Sequence, residues 1–173
     1  MDDTTRIGRR RGIVAAAIGL GFLLTVGAAL ATPGVGILAA PVHARGTLGP
    51  NEGPNFVLNS KSGVHLKARG STDIVTQQVR IAPGGHTGWH SHPGPVLVTV
   101  KSGSVQLIYA NDEGCHGVVY GAGDTFVDRG DENIHIARAS PFDGVELWAT
   151  YFVPGGDPSA PFRLDAPDPG TGC

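Results

Sequence analysis

Gly84-Gly85-His86-Thr87-Gly88-Trp89-His90-Ser91-His92-Pro93-Gly94-Pro95 runs directly into Val96-Leu97-Val98-Thr99-Val100. Three of the chain's seven histidines fall in the first stretch. The second is a β-branched apolar run, which predicts a buried strand. His90 and His92 are two residues apart, so on extended backbone their side chains share a face. Two imidazoles aimed at one point are half of a metal site, and neutral imidazole suits zinc, iron, nickel and copper. Trp89 takes the opposite face and is expected in the core. His65 and His116 stand in short polar contexts and read as exposed residues.

Working outward, the frame around the pair resembles the first motif of the cupin family. That motif is Gly, five residues, His-x-His, three or four residues, Glu, six residues, Gly. Here it reads Gly84, five residues, His90-Ser91-His92, three residues, Val96, six residues, Gly103. Every position matches except the glutamate, which is Val96. The family's second motif is Gly, five residues, Pro-x-Gly, two residues, His, three residues, Asn. It is matched more loosely from Gly123. Asp128 stands in the proline slot after four residues rather than five, Gly130 in the glycine slot, His135 follows after four residues rather than two, and Ala139 stands in the asparagine slot. Together the motifs span less than half of the chain.

The resemblance implies an all-β, double-sheet jelly-roll barrel of the cupin kind. It also implies metal-ligand roles for His90, His92 and His135. Their cofactor would be one divalent transition metal: iron, zinc, manganese, nickel or copper. A carboxylate at position 96 would cancel one charge of the ion, and Val96 cannot. The centre is therefore expected to keep its double charge and favour a small anionic ligand. His86, Glu132 and Tyr109 are expected in supporting positions beside the metal. No residue identifies itself as catalytic. A metal-dependent enzyme of dioxygenase or isomerase type and a non-catalytic ligand-binding barrel both stay open, as does a homodimer.

Arg6, Arg9, Arg10 and Arg11 precede an uncharged apolar stretch from Ile13 to Ala31. Basic residues before an apolar segment are an export signal, and this one is just long enough to span a bilayer. The remainder is expected outside the cytoplasmic membrane, with residues 13–31 as signal peptide or anchor. Ala29-Leu30-Ala31 and Val42-His43-Ala44 are possible cleavage sites. The expected division is 1–44 as export helix with short linker and 45–173 as one barrel domain. A Pro/Gly-rich tail is expected from about residue 154.

Between residues 64 and 153 short apolar runs alternate with Gly, Pro, Asn and Asp turns, which predicts a sandwich or barrel. Asp73–Ile81, Val96–Val100, Ser104–Tyr109, Cys115–Tyr120 and Val145–Val153 read as separate strands. Lys61, Lys67, Arg69, Lys101, Arg129 and Arg138 are scattered, so nucleic-acid binding has no support. Cys115 and Cys173 are the two cysteines of the chain. In an oxidising compartment they are expected to pair and tie down a tail that cannot hold itself by packing.

Overall fold

The computed structural model describes residues 31–49, 55–131 and 133–173. The expected export helix before Ala31 and the candidate Glu132 lie outside these residues. Among the described residues every regular element is a strand, and no helix is long and apolar enough to cross a membrane.

Three long strands carry the architecture: β5 (Thr72–His86), β7 (Val96–Tyr109) and β11 (Val145–Pro154). On β11 Val145, Leu147, Ala149, Tyr151 and Val153 are buried, and the residues between them are not. That period of two is what a strand with one wet face requires. β11 pairs antiparallel with β5 on one side and with β7 on the other. The far half of β7 pairs with β10 (His135–Ala139), and Arg138 of β10 meets His86 at the end of β5. The path from β5 through β11, β7 and β10 returns to β5, so the sheet closes into a barrel. β8 (Val118–Gly121) and β9 (Thr125–Asp128) flank the two halves of β7. β3 (Asn55–Asn59) and β4 (His65–Arg69) form a separate hairpin.

Closure depends on bends where sequence patterns predict breaks. Pro83-Gly84-Gly85 does not end β5. Gly84 takes a positive φ of 70° while its N–H still reaches the Ser140 carbonyl at 3.0 Å. Lys101-Ser102-Gly103 likewise does not separate two strands, because β7 runs through it with a register shift opposite Glu146 and Leu147. A Cβ on Gly103 would run into the Gly144 carbonyl, so only glycine fits this corner. β5 and β7 can thereby run on around the closed sheet.

On the N-terminal side the sheet begins before residue 44. β1 (Val35–Ala39) and β2 (Val42–Thr47) both pair with β5. The linker expected up to Ala44 is therefore part of the sheet. The Val42-His43-Ala44 site lies inside β2, where the His43 ring stacks on Trp148 with centroids 5.1 Å apart. The tail is also more ordered in its contacts than its composition suggests. β6 (His90–Ser91) pairs with β12 (Leu164–Asp165). The Ala166 N–H donates to the Trp89 carbonyl at 2.9 Å, and the Thr32 N–H donates to the Ala166 carbonyl at 3.0 Å. Cys115 and Cys173 form a disulfide with Cα atoms 5.5 Å apart.

Two apolar clusters result. The barrel interior holds Val75, Ile81, Val96, Val98, Val100, Val105, Leu107, Leu147 and their neighbours. A smaller cluster of Trp89, Ile108, Ile136 and Ala166 lies under the tail, with the disulfide cysteines packed against it. Strand parity places Trp89 in this second cluster while its neighbour His90 faces the interior.

Candidate metal centre

His90 sits on β6 and His135 on β10, and the two are Cα partners in antiparallel pairing. His92 follows two residues after His90 and shares its face. The three rings meet inside the barrel, with centroids 4.9 Å apart for His90–His92, 4.3 Å for His90–His135 and 5.3 Å for His92–His135. One nitrogen from each lies within 4.8 Å of the others, and all three residues are buried.

Their hydrogen bonds decide what these rings present. Nδ1 of His90 lies 2.9 Å from the Gly88 carbonyl, Nδ1 of His92 lies 2.7 Å from the Phe162 carbonyl, and Nδ1 of His135 lies 3.0 Å from the Asn133 carbonyl. A carbonyl can only accept, so each Nδ1 carries the proton. In the neutral ring Nε2 is then a lone pair available to a metal. Burial keeps the rings neutral: it pushes His90 well below the ordinary imidazole value, takes His92 down to about 4 and lowers His135. The positive charges they would place on one another, and that of Arg163, act against protonation of His90.

The centre lines a cavity of about 300 Å³. Val96, 1% exposed, supplies an apolar wall, as the missing glutamate implied. Tyr151 lies with its ring 5.1 Å from His92 and donates its hydroxyl to Gln77 Oε1 at 2.7 Å. Burial pushes the Tyr151 hydroxyl pKa upward, so it stays protonated. Ile37 of β1, Ala40 between β1 and β2, and Arg163 from the tail also line the cavity. Arg163 is held by its Nη2, which donates to the Thr87 carbonyl at 2.8 Å, and by its Nε, which donates to Asp165 at 2.6 Å.

The supporting positions divide differently from the sequence expectation. His86 is neither in the histidine cluster nor on the cavity wall; its Nδ1 accepts the Gly88 N–H at 3.1 Å. The glycines between His86 and His90 reorient the chain, so spacing alone could not place its ring. Tyr109 packs its ring 5.8 Å from His135 without lining the cavity, and burial takes its hydroxyl up to about 12.

Sequence reasoning missed three contributors. Asp128, placed by motif matching in a proline slot, is 2% exposed and lines the cavity. Its parity with Phe126 on one short strand was the available signal. Phe162 and Arg163 had none, because the tail carries no periodicity.

No family model matches the chain, and no curated protein matches it. Among solved structures it is similar to a conserved protein with a double-stranded β-helix domain from Klebsiella pneumoniae. The identity there is 22%, covering 55% of this chain and 74% of that one, with a TM-score of 0.40. It is similar to an RmlC-like cupin from Shewanella frigidimarina at 17% identity, covering 60% and 86%, with a TM-score of 0.39. It is also similar to an oxalate oxidase in complex with glycolate at 22% identity, covering 53% of this chain and 45% of that one, with a TM-score of 0.39. Cupins are thus among the solved structures this chain resembles. At these scores the likeness carries nothing about ligand or activity, which rest on the residues of the site.

Proposed function

We propose that this chain is an exported metal-binding barrel of cupin type. His90, His92 and His135 hold one divalent transition metal at the base of the cavity, and a small anionic molecule binds there. One observation carries this reading: three buried, neutral imidazoles have Nδ1 engaged by main-chain carbonyls, which leaves Nε2 as the free lone pair, and one nitrogen of each ring lies within 4.8 Å of the others. Hard cations such as magnesium and calcium prefer oxygen ligands, so this donor set selects transition metals. Three protein nitrogens leave coordination positions free, which is the arrangement of catalytic rather than closed structural sites. That feature favours a second reading, in which the bound molecule is turned over. The metal, when bound, supplies Lewis acidity. The chain's own part is to orient the ligand against Val96 and Tyr151 and to offer the Arg163 charge toward it.

Export is supported by the arginine-flanked apolar segment and by the disulfide, a bond that persists in oxidising compartments. Cleavage after Ala31 preserves β1 and β2, whereas cleavage after Ala44 removes β1 and half of β2. We therefore place the mature boundary at Thr32 if the segment is cut. Elemental analysis of the protein purified from outside the cell, with its N-terminal residue determined, tests both parts. About one equivalent of transition metal on a chain beginning at Thr32 is expected. Metal-free protein that takes up no zinc, iron, manganese, nickel or copper on titration overturns the metal reading.

A further inference from the structure

We propose that Asp128 is the carboxylate of this centre, delivered from β9 in place of the glutamate that the histidine motif lacks at Val96. The proposal rests on the three-histidine reading. Its first support is register. Val96 on β7 and Asp128 on β9 are direct Cα partners. Residues paired across antiparallel strands project to the same face, and both side chains are buried and line the same cavity. A carboxylate from either strand thus enters the same space.

The second support is an unsatisfied atom. Asp128 Oδ1 accepts the Gly130 N–H at 3.2 Å, but Oδ2 has no hydrogen-bond donor. It lies 3.7 Å from His92 Nε2 and 3.4 Å from His135 Nδ1. The His135 Nδ1 proton is already directed to the Asn133 carbonyl, and His92 Nε2 is a lone pair in the neutral ring. A buried anionic oxygen that faces the lone pair of His92 Nε2 and receives no hydrogen bond is unfavourable without a cation. A divalent ion on the three Nε2 atoms reverses that interaction from repulsion to attraction. The double charge expected from Val96 is then offset by one unit, and the carboxylate sits on one side of the ion with the apolar Val96 wall next to it.

The test uses the mature protein stripped of metal, with Zn²⁺ affinity read by chelator competition and Co²⁺ absorption as a spectroscopic reporter. Asp128→Asn keeps the shape and the acceptor for Gly130. It is expected to weaken Zn²⁺ binding by at least about tenfold and to change the Co²⁺ spectrum. It is also expected to raise the unfolding temperature of the metal-free protein, because the unpaired charge is gone. Adding Val96→Glu to Asp128→Asn is expected to restore affinity by returning the carboxylate from the paired strand. If Asp128→Asn binds Zn²⁺ within twofold of the parent, or lowers metal-free stability without touching affinity, Asp128 is structural only and the proposal fails. Loss of metal in His92→Ala alongside unchanged binding in Asp128→Asn overturns this proposal and leaves the three-histidine reading standing. A parent protein that binds none of the metals overturns both.

Discussion

The histidine-bearing strands and the C-terminal tail reach the same centre by opposite means. His90, His92 and His135 project from strands whose pairing fixes where each side chain points. The tail after Pro154 has two residues of strand, yet it supplies the Phe162 carbonyl that holds His92 and the Arg163 guanidinium at the cavity wall. The strands hold their place through a shared apolar core. The tail holds its place through single hydrogen bonds, one short pairing, a disulfide and the packing of Ala166 and Phe162 against the two apolar clusters. Donor atoms that must aim precisely at a metal come from the part with collective support, and the part that orients and shields them is held by a few separable contacts.

The largest effect that could break this comparison is on the strand side. His92→Ala is expected to reduce bound metal to less than about a tenth of the parent, since two nitrogens remain of three. The barrel should stay folded. Each fully buried Val or Leu of its core contributes about 1.5–3 kcal/mol without any ion. Elemental analysis with circular dichroism reads both. Parent-level metal in this variant would remove the strands from the site.

The tail side is next. Replacing Cys115 and Cys173 together by serine opens a loop with a sequence separation of 58. Chain entropy then predicts a loss of up to about 4 kcal/mol, measured by urea unfolding. Metal affinity should fall only severalfold, because the His92 anchor at Phe162 loosens while the Nε2 atoms keep their strands. A loss of metal as complete as in His92→Ala would show that the tail, not the strands, sets the geometry.

The smallest effect separates the two regions by pH. In the folded, metal-free protein burial holds His92 near 4 and also lowers His90 and His135. In the unfolded chain these groups titrate near 6.5. Between those values the unfolded state binds more protons, so stability rises with pH. The histidine contribution is present in full above pH 6.5 and falls away as the pH drops toward about 4. The disulfide contribution has no such slope. Unfolding midpoints of the parent and the double serine variant should therefore decline in parallel over that window. Replacing the histidines by asparagine should flatten the decline in both.

Much of this was legible in the chain because short-range rules govern it. The spacing of His90 and His92, the burial of Trp89 behind them and the alternation along Val145–Val153 follow from the period of a strand. The cysteine pair followed from there being no other partner. The same rules misread Pro83-Gly84-Gly85 and Lys101-Ser102-Gly103 as breaks, because turn residues in a closed barrel serve as corners. They misread residues 35–44 as linker, because pairing with β5 compensates for weak local signal.

The sequence by itself determined which residues could bind a metal, which face they share and that the chain is built of strands; local stereochemistry fixes all three. Only the tertiary structure decided that Asp128 stands opposite Val96, that main-chain carbonyls of Gly88, Asn133 and Phe162 set the histidine tautomers, and that Arg163 reaches the cavity. Those facts depend on register between strands and on where an aperiodic tail is tied. Neither is encoded by the neighbours of any one residue.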